Sequence, residues 1–335
     1  MNKFLNISNK RRTNAFEKVA KKIKIVPPSV EKDVWVTAVL RAIFALPYAE
    51  HLSFKGGTSL SKCYNLIERF SEDIDIAVNR EFLGYGDTLS KTQINDRLRR
   101  AACSFVREKL QFDVAKQMEN QGIGKGLFSV KVNITPISTT DPEIIEVYYK
   151  SSYAELSYLK PVVKLEISGR SMTEPVRKVA LQSLVDKEFP AASFAENPFD
   201  VNAVVLERTF WEKVCLLHEE FAKLQEFMRT ERMSRHLYDL AKMYDAGIAE
   251  IALKDEGLYV SIVEHRRIFV GLKGFDYSTL ATKTINIIPP ENVIAQWQQD
   301  YETMRETMIY GNSLSFNNLI DKMKQLNVRI NNIIW

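Results

Sequence analysis

The run Asp73-Ile74-Asp75-Ile76-Ala77-Val78 constrains this chain more than any other. It alternates, is rich in β-branched residues and lacks glycine and proline, so it reads as a strand. Side chains two residues apart on a strand point to the same face. Asp73 and Asp75 therefore project together, while Ile74 and Ile76 face a core. Like charges on one face repel unless a cation lies between them. A hard divalent cation, Mg²⁺ or Mn²⁺, takes such oxygen ligands and keeps positions for water and phosphate. The same spacing also occurs on solvated strand edges, so the pair takes its meaning from its context.

Upstream, the short strand-like piece Leu52-Ser53-Phe54 ends at Gly56-Gly57, and a helix is predicted over residues 58–69. Leu60, Cys63, Tyr64, Ile67 and Phe70 carry its 3–4 spacing. Glycines let a backbone approach a ligand closely, and a helix start offers free N–H groups to phosphate. The Thr58 and Ser59 hydroxyls are further donors. Downstream, Val163, Leu165 and Ile167 share one face of a strand over 162–167, and Lys164 and Glu166 share the other. Glu166 is either a third acid of the same site or half of a cross-strand ion pair.

The rest of the chain is mixed. A lysine-rich amphipathic helix is predicted over 14–25, a break at Pro27-Pro28, and helices over 30–45 and 96–110. Strands are expected at 128–137, 144–149, 162–167 and 201–206. Beyond Glu207 the pattern is helical apart from residues 276–292, which contain Pro289-Pro290. The expected class is α+β, with one domain over 1–206 and a mainly helical one over 207–335. The 335 residues suffice for either one large core or two. No apolar run reaches the ~18 residues of a membrane span, and no secretory pattern opens the chain. Three scattered cysteines imply a reduced, cytoplasmic protein. A net charge of +4 is compatible with a polyanionic substrate such as a nucleotide or RNA.

Three other motifs fail on spacing. Gly122-Ile123-Gly124-Lys125-Gly126 lacks the glycine spacing and the Ser/Thr of a phosphate loop and reads as a hairpin or mobile loop. His218-Glu219-Glu220 begins like a zinc-protease helix, but residue 222 is alanine. No Gly-x-Ser-x-Gly elbow is present.

The segments Phe54-Lys55-Gly56-Gly57-Thr58-Ser59-Leu60 and Arg69-Phe70-Ser71-Glu72-Asp73-Ile74-Asp75 together resemble the AbiEii/AbiGii toxin family of nucleotidyltransferases, within the DNA polymerase β-like superfamily. The resemblance continues at Glu31-Lys32-Asp33-Val34-Trp35, at Lys164-Leu165-Glu166-Ile167, at Glu207-Arg208-Thr209-Phe210-Trp211-Glu212-Lys213 and at Arg235-His236-Leu237-Tyr238-Asp239-Leu240. It implies a polymerase β-like core, with a mixed sheet flanked by helices, followed by a C-terminal helical domain. It further implies transfer of a nucleoside monophosphate from a nucleoside triphosphate to a hydroxyl, with RNA, and in particular a tRNA 3′ end, as the acceptor. A toxin–antitoxin or phage-defence setting and a cognate antitoxin encoded nearby come with it.

Residue by residue, the resemblance gives Asp73, Asp75 and Glu166 to the metal. Gly56, Gly57, Thr58 and Ser59 go to the triphosphate, Lys213 to phosphate, and Asp239 to a late motif. Family members often carry an aspartate directly after the arginine of that motif. Here the position is His236, which leaves open whether His236 or Asp239 does its work. On the residues alone, Lys213 lies at the edge of the stripe Phe210, Val214, Leu217, Phe221 and Leu224. It is either a buried stem reaching a cleft or a solvated flank. Arg235 and Asp239 read as an i,i+4 surface pair, away from Leu237, Leu240, Ala241 and Tyr244. Arg69 and Ser71 either orient the aspartate strand or cap locally. Two other classes also contain the aspartate pair: a catalytically silent nucleotide-binding module on the same fold, and a sugar-nucleotide glycosyltransferase.

Overall fold

The computed structural model describes residues 3–69, 71, 73–86, 88–134, 143–154 and 159–335. They form two compact units. One comprises Met1–Cys63 with Ser71–Val204, the other Tyr64–Phe70 with Val205–Trp335.

The first unit opens with α1 (Asn9–Ile23) and α2 (Pro27–Phe44). Pro27 and Pro28 occupy the first helical positions, where a missing N–H costs nothing. Around α2, Val30, Val34, Trp35, Ala38, Val39, Ala42 and Ile43 are buried, so this helix forms the unit's interior rather than its surface. Trp35 stacks on Tyr149 with ring centroids 4.9 Å apart. The chain continues through β1 (Leu52–Lys55), α3 (Gly56–Lys62), β2 (Asp73–Val78), α4 (Arg99–Phe105) and α5 (Gln111–Asn120). Then come β3 (Phe128–Asn133), β4 (Glu143–Tyr149), β5 (Val162–Ser168), β6 (Val176–Leu181), α6 (Leu184–Glu188) and β7 (Phe199–Val204). The seven strands form one mixed sheet in the order β3-β4-β5-β2-β1-β7-β6. β2 runs parallel to β5 and antiparallel to β1, and β1 runs parallel to β7. This is the α+β core expected from the sequence.

Two differences have physical causes. The helix predicted over 58–69 stops at Lys62. Asn65 adopts the left-handed conformation (φ 48°), which ends a right-handed helix and which asparagine tolerates better than most residues. Phe70, assigned to that helix, lies outside the described residues, as do residues 135–137 of the strand expected over 128–137. Of the hairpin or mobile loop expected at 122–126, the structure has a loop that links α5 to β3, with Ile123 buried. β6 was not anticipated, because Arg177 and Lys178 interrupt its apolar pattern.

The second unit contains α7 (Leu206–Phe221), α8 (Arg235–Asp245), α9 (Ile248–Ala252), α10 (Glu256–His265), α11 (Ile294–Thr307) and α12 (Phe316–Asn331). Phe210, Trp211, Val214 and Leu217 of α7 lie fully inside. The Trp211 indole N–H donates to the carbonyl of Ala252 at 3.0 Å, so this large ring is satisfied as well as packed. Tyr64–Phe70 belongs with these helices, where Tyr310 N–H donates to Glu68 O at 3.0 Å.

Candidate active site

The acid face is built by strand register. Ile74, Ile76, Leu165 and Ile167 point into the core and are all but fully buried. Asp73 and Asp75 therefore share the opposite, half-buried face of β2. On the neighbouring parallel strand, Glu166 pairs with Asp75 and Lys164 pairs with Asp73. Side chains in register on adjacent strands, ~4.8 Å apart, lie on the same face. Asp73, Asp75 and Glu166 are thus brought to one face, and Lys164 and Lys55 join them, Lys55 being paired with Asp75 across β1. Each aspartate has a lysine beside it in the ladder, which offsets the repulsion of gathered carboxylates. Alternation in the sequence had already put Lys164 on the face of Glu166, whereas Lys55 was not singled out.

Gly56 opens α3 at the end of β1 with φ +78°. A Cβ added there would lie 1.9 Å from Oδ2 of Asp75. The glycine is required because the Asp75 carboxylate rests against its backbone. Thr58 and Ser59 are buried. The Thr58 hydroxyl donates to the carbonyl of Asp73 at 2.5 Å, and that of Ser59 to the carbonyl of Gly56 at 2.9 Å. In this structure the two hydroxyls brace the glycine turn and β2. The Gly56-Gly57 turn is half-buried.

α3 is itself held in place. Lys62 donates to Asp33 Oδ1 of α2 at 2.5 Å, and the other oxygen of Asp33 accepts from Leu184 N–H at 2.7 Å. The neighbouring residues of α2 are likewise buried and committed. Glu31 accepts from Ser151 Oγ and Ser152 N–H at 2.6 and 2.8 Å, and Lys32 donates to the carbonyl of Lys160 at 3.2 Å.

The second unit gathers the other candidates. Asp239 is fully buried in α8. It accepts from Arg69 Nε and Nη2 at 2.8 and 2.7 Å, and Lys213 Nζ of α7 lies 2.9 Å from its Oδ2. The i,i+4 surface pair with Arg235 is thus replaced by a buried triad, and Lys213 is not a solvated flank residue. Burial alone would raise the Asp239 pKa, but Arg69 and Lys213 outweigh it and hold the carboxyl below its ordinary range. Burial lowers the Lys213 pKa; Asp239 opposes the shift and Arg69 adds to it. His236 Nδ1 lies 3.3 Å from Lys213 Nζ, and burial followed by Lys213 and Arg235 pushes its imidazole well below 6.5. His236 is therefore a neutral neighbour of the ammonium, and Asp239 is its anionic partner.

Three carboxylates with oxygen donors suit a hard divalent cation, and the Gly56 cradle sets one of them. Among the described residues, however, no three His, Cys, Asp or Glu side chains are gathered closely enough to ligate a single ion. The acids share a face without forming a closed coordination set. No helix among the described residues is long and apolar enough to cross a membrane.

A search of curated proteins finds no match. Among solved structures, JHP933 from Helicobacter pylori is similar at 14% identity, covering 90% of this chain and 91% of that one, with TM-score 0.43. MenT4, the nucleotidyltransferase toxin Rv2826c from Mycobacterium tuberculosis, is similar at 14% identity over 97% and 99% of the two chains, with TM-score 0.42. The family model described as "Nucleotidyl transferase AbiEii toxin, Type IV TA system" matches residues 38–322. With most of its length matched, the chain belongs to the AbiEii family of nucleotidyltransferase toxins.

Proposed function

We propose that the chain transfers a nucleoside monophosphate from a nucleoside triphosphate to a hydroxyl of an RNA acceptor, a tRNA 3′ end being the first candidate. The observation carrying this reading is the ladder that places Glu166 beside Asp75, two residues from Asp73, on the sheet face opposite the core. Mg²⁺ or Mn²⁺ would be held by Asp73, Asp75 and Glu166, and when bound it would neutralise charge on the triphosphate and polarise the reacting oxygens. The Gly56-Gly57 backbone would receive phosphate oxygens. Glu166 or a neighbouring aspartate would accept the proton of the acceptor hydroxyl. That oxygen would bond to the α-phosphorus as the bond to pyrophosphate breaks. The protein's contribution is orientation and fixed charge. We place the reaction in the cytoplasm, where both substrates are found, and expect an antitoxin protein encoded nearby to restrain it.

The test is incubation of the protein with Mg²⁺, each labelled triphosphate in turn and total RNA. Label should enter RNA with the wild type, and both Asp73→Ala and Asp75→Ala should abolish it. No transfer by the wild type to any acceptor, or transfer by the two variants at the wild-type level, would overturn the proposal.

A further inference from the structure

The exposed side of α1 carries a charge pattern that no other part of the first unit uses. Its fifteen residues, NKRRTNAFEKVAKKI, include six basic side chains and one acidic, a net charge of +5, against +4 for the whole chain. The remainder of the protein is therefore net negative by one. Ala15, Phe16, Val19 and Ala20 are buried beneath the helix. Lys10, Arg11, Lys18 and Lys21 are exposed, and no ion pair occupies them among the described residues. At 3.6 residues per turn these four fall within an arc of roughly 100° along about 17 Å of helix. Lys22, on the same side, pairs with Glu188 at 2.5 Å.

Folding does not account for this arrangement. Lys10, Arg11 and Arg12 sit in a first turn that holds no acidic residue, where the helix dipole disfavours cations. Lys18 faces Lys21 and Lys22 at like-charge i+3 and i+4 spacing.

We propose that this face of α1 is the docking surface for the phosphate backbone of the RNA acceptor, a proposal that rests on the RNA-acceptor reading above. A row of lysines without acidic partners is the complement of a polyanion, and association would release the counterions condensed on it. A lipid surface is the weaker match. A membrane-binding helix needs a free apolar face, and that of α1 is buried within its own unit. The helix is rigidly tied to the candidate site: α1 packs on α2, Asp33 of α2 holds Lys62 of α3, and α3 begins at the Gly56 cradle of Asp75.

The experiment compares the wild type with the combined variant Lys10→Gln, Arg11→Gln, Lys18→Gln and Lys21→Gln, using unfractionated tRNA as the probe. Binding is measured across a salt series, and labelled transfer at varied RNA and triphosphate. The expected result is a slope of log K against log[salt] smaller by about 3, and RNA binding at least ~10-fold weaker at 0.15 M salt. KM for RNA rises accordingly, while KM for the triphosphate and the melting temperature stay unchanged. Glu17→Gln, which removes the helix's acid, moves RNA affinity in the opposite direction. Wild-type transfer to RNA, with an unchanged slope and KM in the combined variant, overturns the docking surface and leaves the proposed function standing. So does loss of binding to phosphatidylglycerol vesicles with RNA binding intact. A wild type that neither binds nor labels any RNA overturns the acceptor reading itself, and the docking surface with it.

Discussion

Arg69 and Asp239 form a two-pronged ion pair inside the second unit, with nitrogen–oxygen distances of 2.8 and 2.7 Å. Lys213 completes it from the adjacent helix. Removing the carboxylate leaves two cations facing each other out of water. Asp239→Ala is therefore expected to destabilise the protein by roughly 3–5 kcal/mol, the range for breaking one side of a buried pair. The combined change Arg69→Met and Lys213→Met with Asp239→Leu should cost less than Asp239→Ala alone, because none of the three charges is then stranded. Urea unfolding of the three proteins measures both. A loss below about 1 kcal/mol for Asp239→Ala would mean that water reaches the triad.

The same cluster makes stability depend on pH in a definite direction. His236 keeps its imidazole neutral well below 6.5, because burial and then Lys213 and Arg235 disfavour the cation. The unfolded chain binds that proton as pH falls through about 6.5, and the folded chain does not. Stability is fully present above this value and is lost progressively below it, until the depressed folded pKa is reached. Each pH unit in that window costs about 1.4 kcal/mol per proton. The urea midpoint of the wild type should fall between pH 7.5 and 5.5, and that of His236→Gln should fall less. Identical pH profiles would place the titration elsewhere.

Gly56→Ala tests the cradle directly. The added Cβ would meet Asp75 Oδ2 at 1.9 Å, and the backbone there has φ +78°, so both the carboxylate and the turn must shift. A displacement of about 1 Å at a reacting group can cost ~100-fold in rate. Labelled transfer should fall by about that factor, with a smaller loss of melting temperature. Full activity in Gly56→Ala would show that Asp75 need not rest against the turn.

What was legible in the chain follows from the range of each cause. Alternation is local, so Asp73-Ile74-Asp75-Ile76 and Val163-Lys164-Leu165-Glu166 disclosed their faces, whereas the parallel pairing that sets Glu166 beside Asp75 joins segments about ninety residues apart and came only with the structure. The end of α3 was misplaced because apolar spacing continues through Ile67, while the break depends on the backbone conformation of the single residue Asn65. Asp239 was read as a surface residue because Arg235, one turn away, was the only partner visible locally. Its real partner, Arg69, lies 170 positions distant and carries no local signal. The partners of Thr58 and Ser59 were not legible for a related reason: a hydroxyl at a helix start looks the same whether it faces a ligand or the carbonyl of Asp73.

The pair Asp33–Lys62 offers a test of how far the site depends on support away from the acids. Lys62 lies at the end of α3, and its ammonium is anchored to an aspartate that also accepts from the first residue of α6. Both side chains are largely shielded from solvent, so their interaction is screened less than a surface pair's. Neither residue lies on the acid face. Asp33→Asn keeps the shape and the Leu184 contact but removes the charge that fixes Lys62. The glycine turn at the other end of α3 would then be held less tightly against Asp75. The expected outcome is a fall in kcat of about 10-fold, with KM for the triphosphate little changed and a stability loss of roughly 1–3 kcal/mol. Lys62→Met should lower kcat similarly, and Asp33→Asn combined with Lys62→Met should be no worse than either alone, since one interaction is removed in all three. Additive losses in the combined variant would show that the two residues act separately, and that α3 is positioned by its buried Thr58, Ser59 and Leu60 instead.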